Sequence, residues 1–154
     1  MKTRILSATL VVGALDILEV IVFYGMHGIA PTRILQSVAT GVFGRAAYEG
    51  GIPTALLGLA LHYVIAFIVV CVFFFAFRRV ALLRKAPVLS GAAYGVGVYL
   101  FMNLVVLPLS AAGPPRFTLV GVLNQLFAHL FCVGIPTALF ARSATLAEPA
   151  RTTP

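Results

Sequence analysis

Two carboxylates and two histidines stand inside apolar stretches of this sequence, where ionisable groups are costly. Residues 13–24, GALDILEVIVFY, contain Asp16 and Glu19, and the whole chain has only four acidic residues. His62 and His129 stand in two further apolar stretches. Carboxylate and imidazole groups exchange protons and bind metal ions. Such a set inside a membrane therefore indicates a proton path or a metal site.

These residues lie at a similar depth when the helical rise is counted from the basic residue at the end of each helix. At 1.5 Å of rise per residue, Asp16 lies about 18 Å from Arg4. His62 and His129 lie about 24 and 20 Å from the arginines that follow them. We therefore predict one central site and expect Asp16 or Glu19 within hydrogen-bond or shared-ligand reach of His62 or His129. The polar residues predicted to support it are Tyr99, Asn103, Gln125 and Cys132.

The composition requires lipid as the solvent. Of 154 residues, 61% are hydrophobic and 10% are charged, whereas a soluble domain is about 45–50% apolar and about a quarter charged. The net charge of +7 comes from basic residues between the apolar stretches, where they set topology and contact lipid headgroups. The predicted partner is thus the lipid bilayer, and nucleic-acid binding is not expected.

Four apolar stretches are long enough to span a bilayer, which takes about 20 residues. They are residues 5–24, 52–77, 88–109 and 117–141. Residues 32–47 are too polar to span, and Ile34, Leu35, Val38, Val42 and Phe43 recur there at helical spacing, which favours a short interfacial helix. The sequence therefore predicts an all-α integral membrane four-helix bundle. It forms one transmembrane domain over residues 1–144, followed by a disordered tail over residues 145–154.

Small residues and prolines indicate how these helices pack. Gly91 and Gly95 share a face with Tyr99 and Asn103, a small-xxx-small pattern that lets helices approach closely. Pro136 predicts a kink in the fourth span.

The distribution of basic residues predicts the orientation. Eight of the eleven Lys and Arg residues fall on the side of the two termini and the central loop, and three fall on the other. By the positive-inside rule, both termini of this multi-pass protein should be cytoplasmic.

Three motifs of the later spans resemble those of the YagU-type small inner-membrane proteins of bacteria. They are HYVIAFIVVCVFFF from His62, LSGAAYGVGVYLFMNLVVLPLSAAGPP from Leu89, and LNQLFAHLFCVGIPTALFARS from Leu123. The shared features are the histidine that opens the apolar part of helix two, the Pro-Leu and Gly-Pro-Pro elements that close helix three, and Leu-x-x-His with Arg142 in helix four. The resemblance covers about residues 58–143. It implies a bacterial inner-membrane location and a four-helix layout, and it implies no mechanism.

The sequence leaves three functions open. His62 and His129 on facing helices suit a haem b, and adding Asp16 or Glu19 suits a transition metal. The same groups suit the proton relay of a small proton-coupled transporter. A buried polar network could instead serve a structural subunit of a larger membrane complex, and a homo-oligomer also stays open. No nucleophile, phosphate-loop or HExxH motif occurs in the sequence, so an enzyme activity is not predicted.

Overall fold

The computed structural model of the protein describes residues 2–146, and every regular element among them is helical. Four helices are long and apolar enough to cross a membrane, which confirms the predicted all-α four-helix bundle of a multi-pass membrane protein. They are α1 (Lys2–Met26), α3 (Gly51–Arg79), α5 (Pro87–Leu109) and α6 (Leu119–Leu146). The shorter elements are α2 (Pro31–Phe43), a 3₁₀ helix (Gly44–Glu49) and α4 (Ala81–Lys85). The predicted disordered tail falls mostly on residues 147–154, which lie outside the described residues.

Two contacts define the two ends of the bundle. Arg4 Nη1 donates to Ser143 Oγ at 3.4 Å, so the first and last turns of the bundle meet at one end. At the other end, the Ala111 amide donates to the Gly41 carbonyl at 3.1 Å and joins α2 to the connection between α5 and α6. The assignment of the first end to the cytoplasm stays a prediction.

The tightest apolar packing lies where α1, α3 and α6 meet. Val12, Val70, Phe73 and Phe77 are fully buried there together with small residues of α1 and α6. Large apolar side chains on the opposite faces, such as Leu10, are exposed on the outside of the bundle. Since lipid tails are as apolar as leucine, this exposed surface is stable only within a bilayer.

The short helix α2 lies against the start of α3. Its buried face consists of Ile34, Gln36, Ala39 and Thr40, whereas Val42 and Phe43 are exposed. The predicted apolar stripe is thus divided between two faces. The polar Gln36 lies on the buried face, where its Nε2 donates to the Gly51 carbonyl at 2.9 Å and to Thr54 Oγ1 at 3.2 Å. The predicted placement of this helix in the membrane interface stays a prediction.

Both α5 and α6 widen into a π-helical turn inside the span. These turns are Met102–Val106 in α5 and Ala128–Gly134 in α6. Each ends just before a proline: the Leu107 amide bonds to Met102 O ahead of Pro108, and the Ile135 amide bonds to Leu130 O ahead of Pro136. A proline cannot donate to the carbonyl four residues back, and its ring displaces that carbonyl. The distortion predicted near Pro136 therefore takes the form of a π-helical turn.

Glycines bring α5 and α6 into backbone contact at this level. Gly91 and Gly95 of α5 lie directly against the backbone of Gly134 and His129 of α6. A Cβ on Gly91 would lie 2.7 Å from Gly134 O, which is too close for any side chain. The close approach predicted from the Gly91 and Gly95 spacing is therefore present, and it fixes His129 relative to α5.

Candidate functional site: a polar cavity in the centre of the bundle

A cavity of about 210 Å³ lies between the four long helices. Its wall is largely apolar, and Val38 of α2 also lines it. The polar side chains in the wall come from all four long helices; they are Asp16, His62, Asn103, Gln125 and His129. The structure thus brings together three of the four predicted principal residues, namely Asp16, His62 and His129, with two of the predicted supporting residues.

Asp16 and His62 face each other across the contact between α1 and α3. His62 Nδ1 lies 4.0 Å from Asp16 Oδ2, and the two side chains are 11% and 20% exposed. The other ring nitrogen, His62 Nε2, lies 2.8 Å from the Gly13 carbonyl oxygen. A carbonyl oxygen only accepts hydrogen bonds, so Nε2 carries a hydrogen and Nδ1 is the nitrogen that can gain or lose a proton.

The missing side chain of Gly13 makes this arrangement possible. A Cβ at Gly13 would lie 2.6 Å from Cε1 of the Tyr63 ring. Because Gly13 has no Cβ, α1 approaches α3 closely enough for His62 to reach the Gly13 carbonyl. The same approach places Asp16, almost one turn further along α1, beside the imidazole.

His129 is held by its own helix. Its Nδ1 donates to the Gln125 carbonyl at 2.8 Å, which leaves Nε2 with a free lone pair when the ring is neutral. Its ring also lies edge-on to Tyr99, with 5.9 Å between the ring centres. Both histidines therefore have one nitrogen fixed by a backbone carbonyl and one free to bind a proton or a ligand.

An amide pair links α5 and α6 beside His129. Asn103 is 4% exposed, and its Nδ2 donates to the Tyr99 carbonyl at 2.9 Å and to Gln125 Oε1 at 3.2 Å. Asn103 and His129 each lie in a π-helical turn, where the backbone departs from regular helix geometry. Such turns occur frequently at functional sites.

Three predicted site residues do not line the cavity; they are Glu19, Tyr99 and Cys132. Glu19 accepts a hydrogen bond of 3.5 Å from Asn124 Nδ2 of α6. Cys132 is a free, half-buried thiol. The two carboxylates of α1 therefore have different partners, although they are separated by less than one helical turn.

Asp16 has one oxygen with no partner in the described residues. Oδ1 is buried and makes no hydrogen bond, while Oδ2 faces His62. Other titratable side chains near Asp16 and His62 are Glu19 on α1, Tyr63 on α3, Tyr99 on α5, and His129 and Cys132 on α6. No Lys or Arg is among the residues that line the cavity. The cavity wall therefore contains hydrogen-bond acceptors and one carboxyl group, and no Lys or Arg side chain.

The described residues do not support the predicted metal or haem site. Among residues 2–146, no group of three or more His, Cys, Asp or Glu side chains is arranged to hold a metal ion. The cavity has a volume of about 210 Å³, whereas pockets for drug-sized ligands typically have 300–1,000 Å³. A haem is at least as large as a drug-sized ligand, so the cavity is too small for it.

Some features of the site could be found only in the structure. Nothing in the sequence indicates that the Gly13 carbonyl accepts from His62, because a backbone acceptor has no residue type. The π-helical turns have a usable signal, namely a proline shortly after Asn103 and after His129. Comparison of the chain with protein-family models, with curated proteins and with solved structures found no match.

Proposed function

We propose that this membrane protein is a small proton-coupled transporter in which Asp16 and His62 together bind the coupling proton. The observation that carries the proposal is the pairing of Asp16 Oδ2 with His62 Nδ1 at 4.0 Å on the wall of a central cavity. Because His62 Nε2 is fixed as a donor to Gly13, only Nδ1 and the carboxylate are available to hold that proton.

The charge of the pair supports this role. With His62 neutral and Asp16 ionised, the pair has one negative charge inside an apolar bundle, which costs several kcal/mol, of the order of 3 on insertion scales. Binding one proton on Nδ1 makes the pair neutral overall and allows a direct hydrogen bond. A bound cation in the cavity would offset the same charge. A proton and a cationic solute would therefore compete for one site, which is the basis of coupled exchange.

The proton site can be tested directly because Asp16 is the only aspartate in the chain. Protein labelled with [4-¹³C]aspartate gives an infrared carboxyl signal from one residue. The signal is recorded from about pH 4 to about pH 9, a range that spans ordinary carboxyl and imidazole groups. We expect it to change as the pair binds its proton, and a His62→Gln variant should alter that response. An Asp16 signal that stays constant over the whole range would refute the proposal.

Transport requires a second measurement in sealed vesicles. We expect a proton gradient across proteoliposomes to collapse faster with the wild-type protein than with Asp16→Asn, because an amide cannot carry the proton. Equal rates for the two proteins would contradict the transport step even if Asp16 titrates.

The proposal also includes the orientation of the protein and the membrane in which it lies. The excess of basic residues at the end of the bundle that contains Arg4 supports cytoplasmic termini. The resemblance to the YagU-type proteins supports the bacterial inner membrane. A homo-oligomer or a larger complex is compatible with both.

A further inference from the structure

A second cavity lies between α3 and α5 on the outer surface of the bundle. It has a volume of about 510 Å³, and almost all of its wall is apolar. We call it the α3–α5 groove. α3 and α5 barely touch along it, and Tyr94 joins them by donating from Oη to the Val69 carbonyl at 2.8 Å. Gly97 also lines the groove, and a Cβ added there would meet no atom within 4 Å.

The α3–α5 groove and the central cavity share part of their walls. Four residues line both spaces; they are Ile65, Val69, Val98 and Met102. These four apolar residues form a wall that the two spaces share, and Asp16, His62 and His129 line the central cavity on the other side of it. Ile65 is also the middle residue of α3 (Gly51–Arg79), so the groove lies at mid-span. A molecule dissolved in the bilayer can therefore approach the polar cavity from the side.

We propose that the transported solute is a lipophilic amine, with its ammonium group in the central cavity and its apolar tail in the α3–α5 groove. This inference rests on the proposed proton-coupled function and names the class of solute that exchanges with the proton. The two spaces match the two halves of such a molecule. The small cavity of about 210 Å³ fits a compact head, and the apolar groove of about 510 Å³ fits a tail.

The charge of the cavity selects the ammonium head. Asp16 Oδ1 is buried without a hydrogen-bond donor, and His62 Nδ1 and His129 Nε2 have lone pairs when their rings are neutral. An ammonium group supplies both the positive charge and the N–H donors that these acceptors lack. An anionic head would face the Asp16 carboxylate with no Lys or Arg in the cavity wall to offset the repulsion. A plain lipid chain fills the groove but gives Asp16 no donor.

The first test compares four probes that differ in head group or tail length, and the readout is the Asp16 carboxyl signal. Decylamine, decanol, decanoate and methylamine are added in turn to protein labelled with [4-¹³C]aspartate in lipid nanodiscs. We expect decylamine to shift the Asp16 carboxyl signal at concentrations at least tenfold lower than methylamine, and we expect no shift with decanol or decanoate. An equal response to decanol would mean that the groove binds only a tail, and it would overturn the proposal.

The second test separates the groove from the cavity. Gly97→Phe fills the groove, and Leu100→Phe is the matched control because Leu100 lies on the same helix, is exposed and does not line the groove. We expect Gly97→Phe to weaken the decylamine response at least tenfold and to leave the methylamine response unchanged. Leu100→Phe should respond as wild type. Unchanged decylamine binding in Gly97→Phe would refute the placement of the tail in the α3–α5 groove.

Failure of this inference is distinguishable from failure of the proposed function. The pH titration of Asp16 is measured without amine, so it tests the proton site alone. If Asp16 titrates and decylamine produces no shift, the solute class is wrong and the proton site stands. The same titration shows whether Gly97→Phe has kept its fold, because a folded variant should titrate as wild type does.

Discussion

Asp16 and Glu19 show how neighbouring residues of one helix acquire different roles. Both are carboxylates on α1, and the sequence gives no reason to prefer either. In the structure Asp16 faces His62 and the cavity, whereas Glu19 meets the amide of Asn124. A hydrogen bond to an amide satisfies a carboxylate and a carboxamide alike, but a shared proton requires the carboxylate.

We therefore expect Glu19→Gln and Asp16→Asn to differ in their effects. Glu19→Gln should keep its contact with Asn124 and lose about 0.6 kcal/mol or less of stability, the average value of a hydrogen bond between membrane helices. Proton flux in proteoliposomes should stay within about twofold of wild type. Asp16→Asn should abolish the flux attributed to the protein. If Glu19→Gln abolishes flux as well, the proton site includes both carboxylates.

Among the helices, the contact between α5 and α6 depends on glycine. A Cβ at Gly95 would collide with the backbone of His129 and lie 3.1 Å from Leu130 Cα. At Gly97, on the same helix, a Cβ meets nothing within 4 Å. Replacing glycine with alanine raises the helix propensity equally at both positions. The difference in stability between the two variants therefore measures the steric effect of the methyl group.

Gly95→Ala should destabilise the protein by about 1–3 kcal/mol, because the helices must separate to admit the methyl group. Gly97→Ala should be neutral or stabilising by up to about 1 kcal/mol. Reversible unfolding in mixed micelles measures both values. Equal stabilities for the two variants would show that α5 and α6 do not meet at Gly95.

The buried face of α2 includes the polar residue Gln36 beside the apolar residues Ile34 and Ala39. Gln36→Leu removes the bonds to the Gly51 carbonyl and to Thr54 Oγ1. At about 1 kcal/mol for each of the two hydrogen bonds, the loss should speed amide exchange over residues 31–54 by up to about thirtyfold. Ser37→Ala is the control, because Ser37 is exposed and its hydroxyl donates to Ile34 O within the same helix. Exchange that is unchanged in Gln36→Leu would mean that α2 is held by other contacts.

For the whole molecule, the testable statement is its orientation. Arg4 and Ser143 meet at one end of the bundle, and Gly41 and Ala111 meet at the other. Reporter fusions at Leu82 and Ala112 should therefore fall on opposite sides of the membrane. The excess of basic residues predicts that Leu82 is inside. Two reporters on the same side would contradict the four-span bundle, and a reversed pair would contradict only the orientation.

The sequence determined the fold class because the bilayer restricts it so strongly. A hydrophobic content of 61% and four long apolar stretches leave helices as the main solution, since each helix satisfies its backbone polar groups internally. The common depth of Asp16, His62 and His129 also followed from the sequence, because helical rise is constant.

Which polar groups meet depends on how the helices pack. Rotation of each helix about its axis determines whether Asp16 or Glu19 faces His62, and that rotation is set by contacts between helices, such as Gly13 against Tyr63. The π-helical turns that hold Asn103 and His129 also alter the angular count along α5 and α6, so simple helical periodicity cannot give their facing residues. The gap between α3 and α5 is a property of packing, and no residue type encodes it. These are non-local effects, and they convert a set of residues at one depth into a cavity whose wall contains Asp16, His62 and His129.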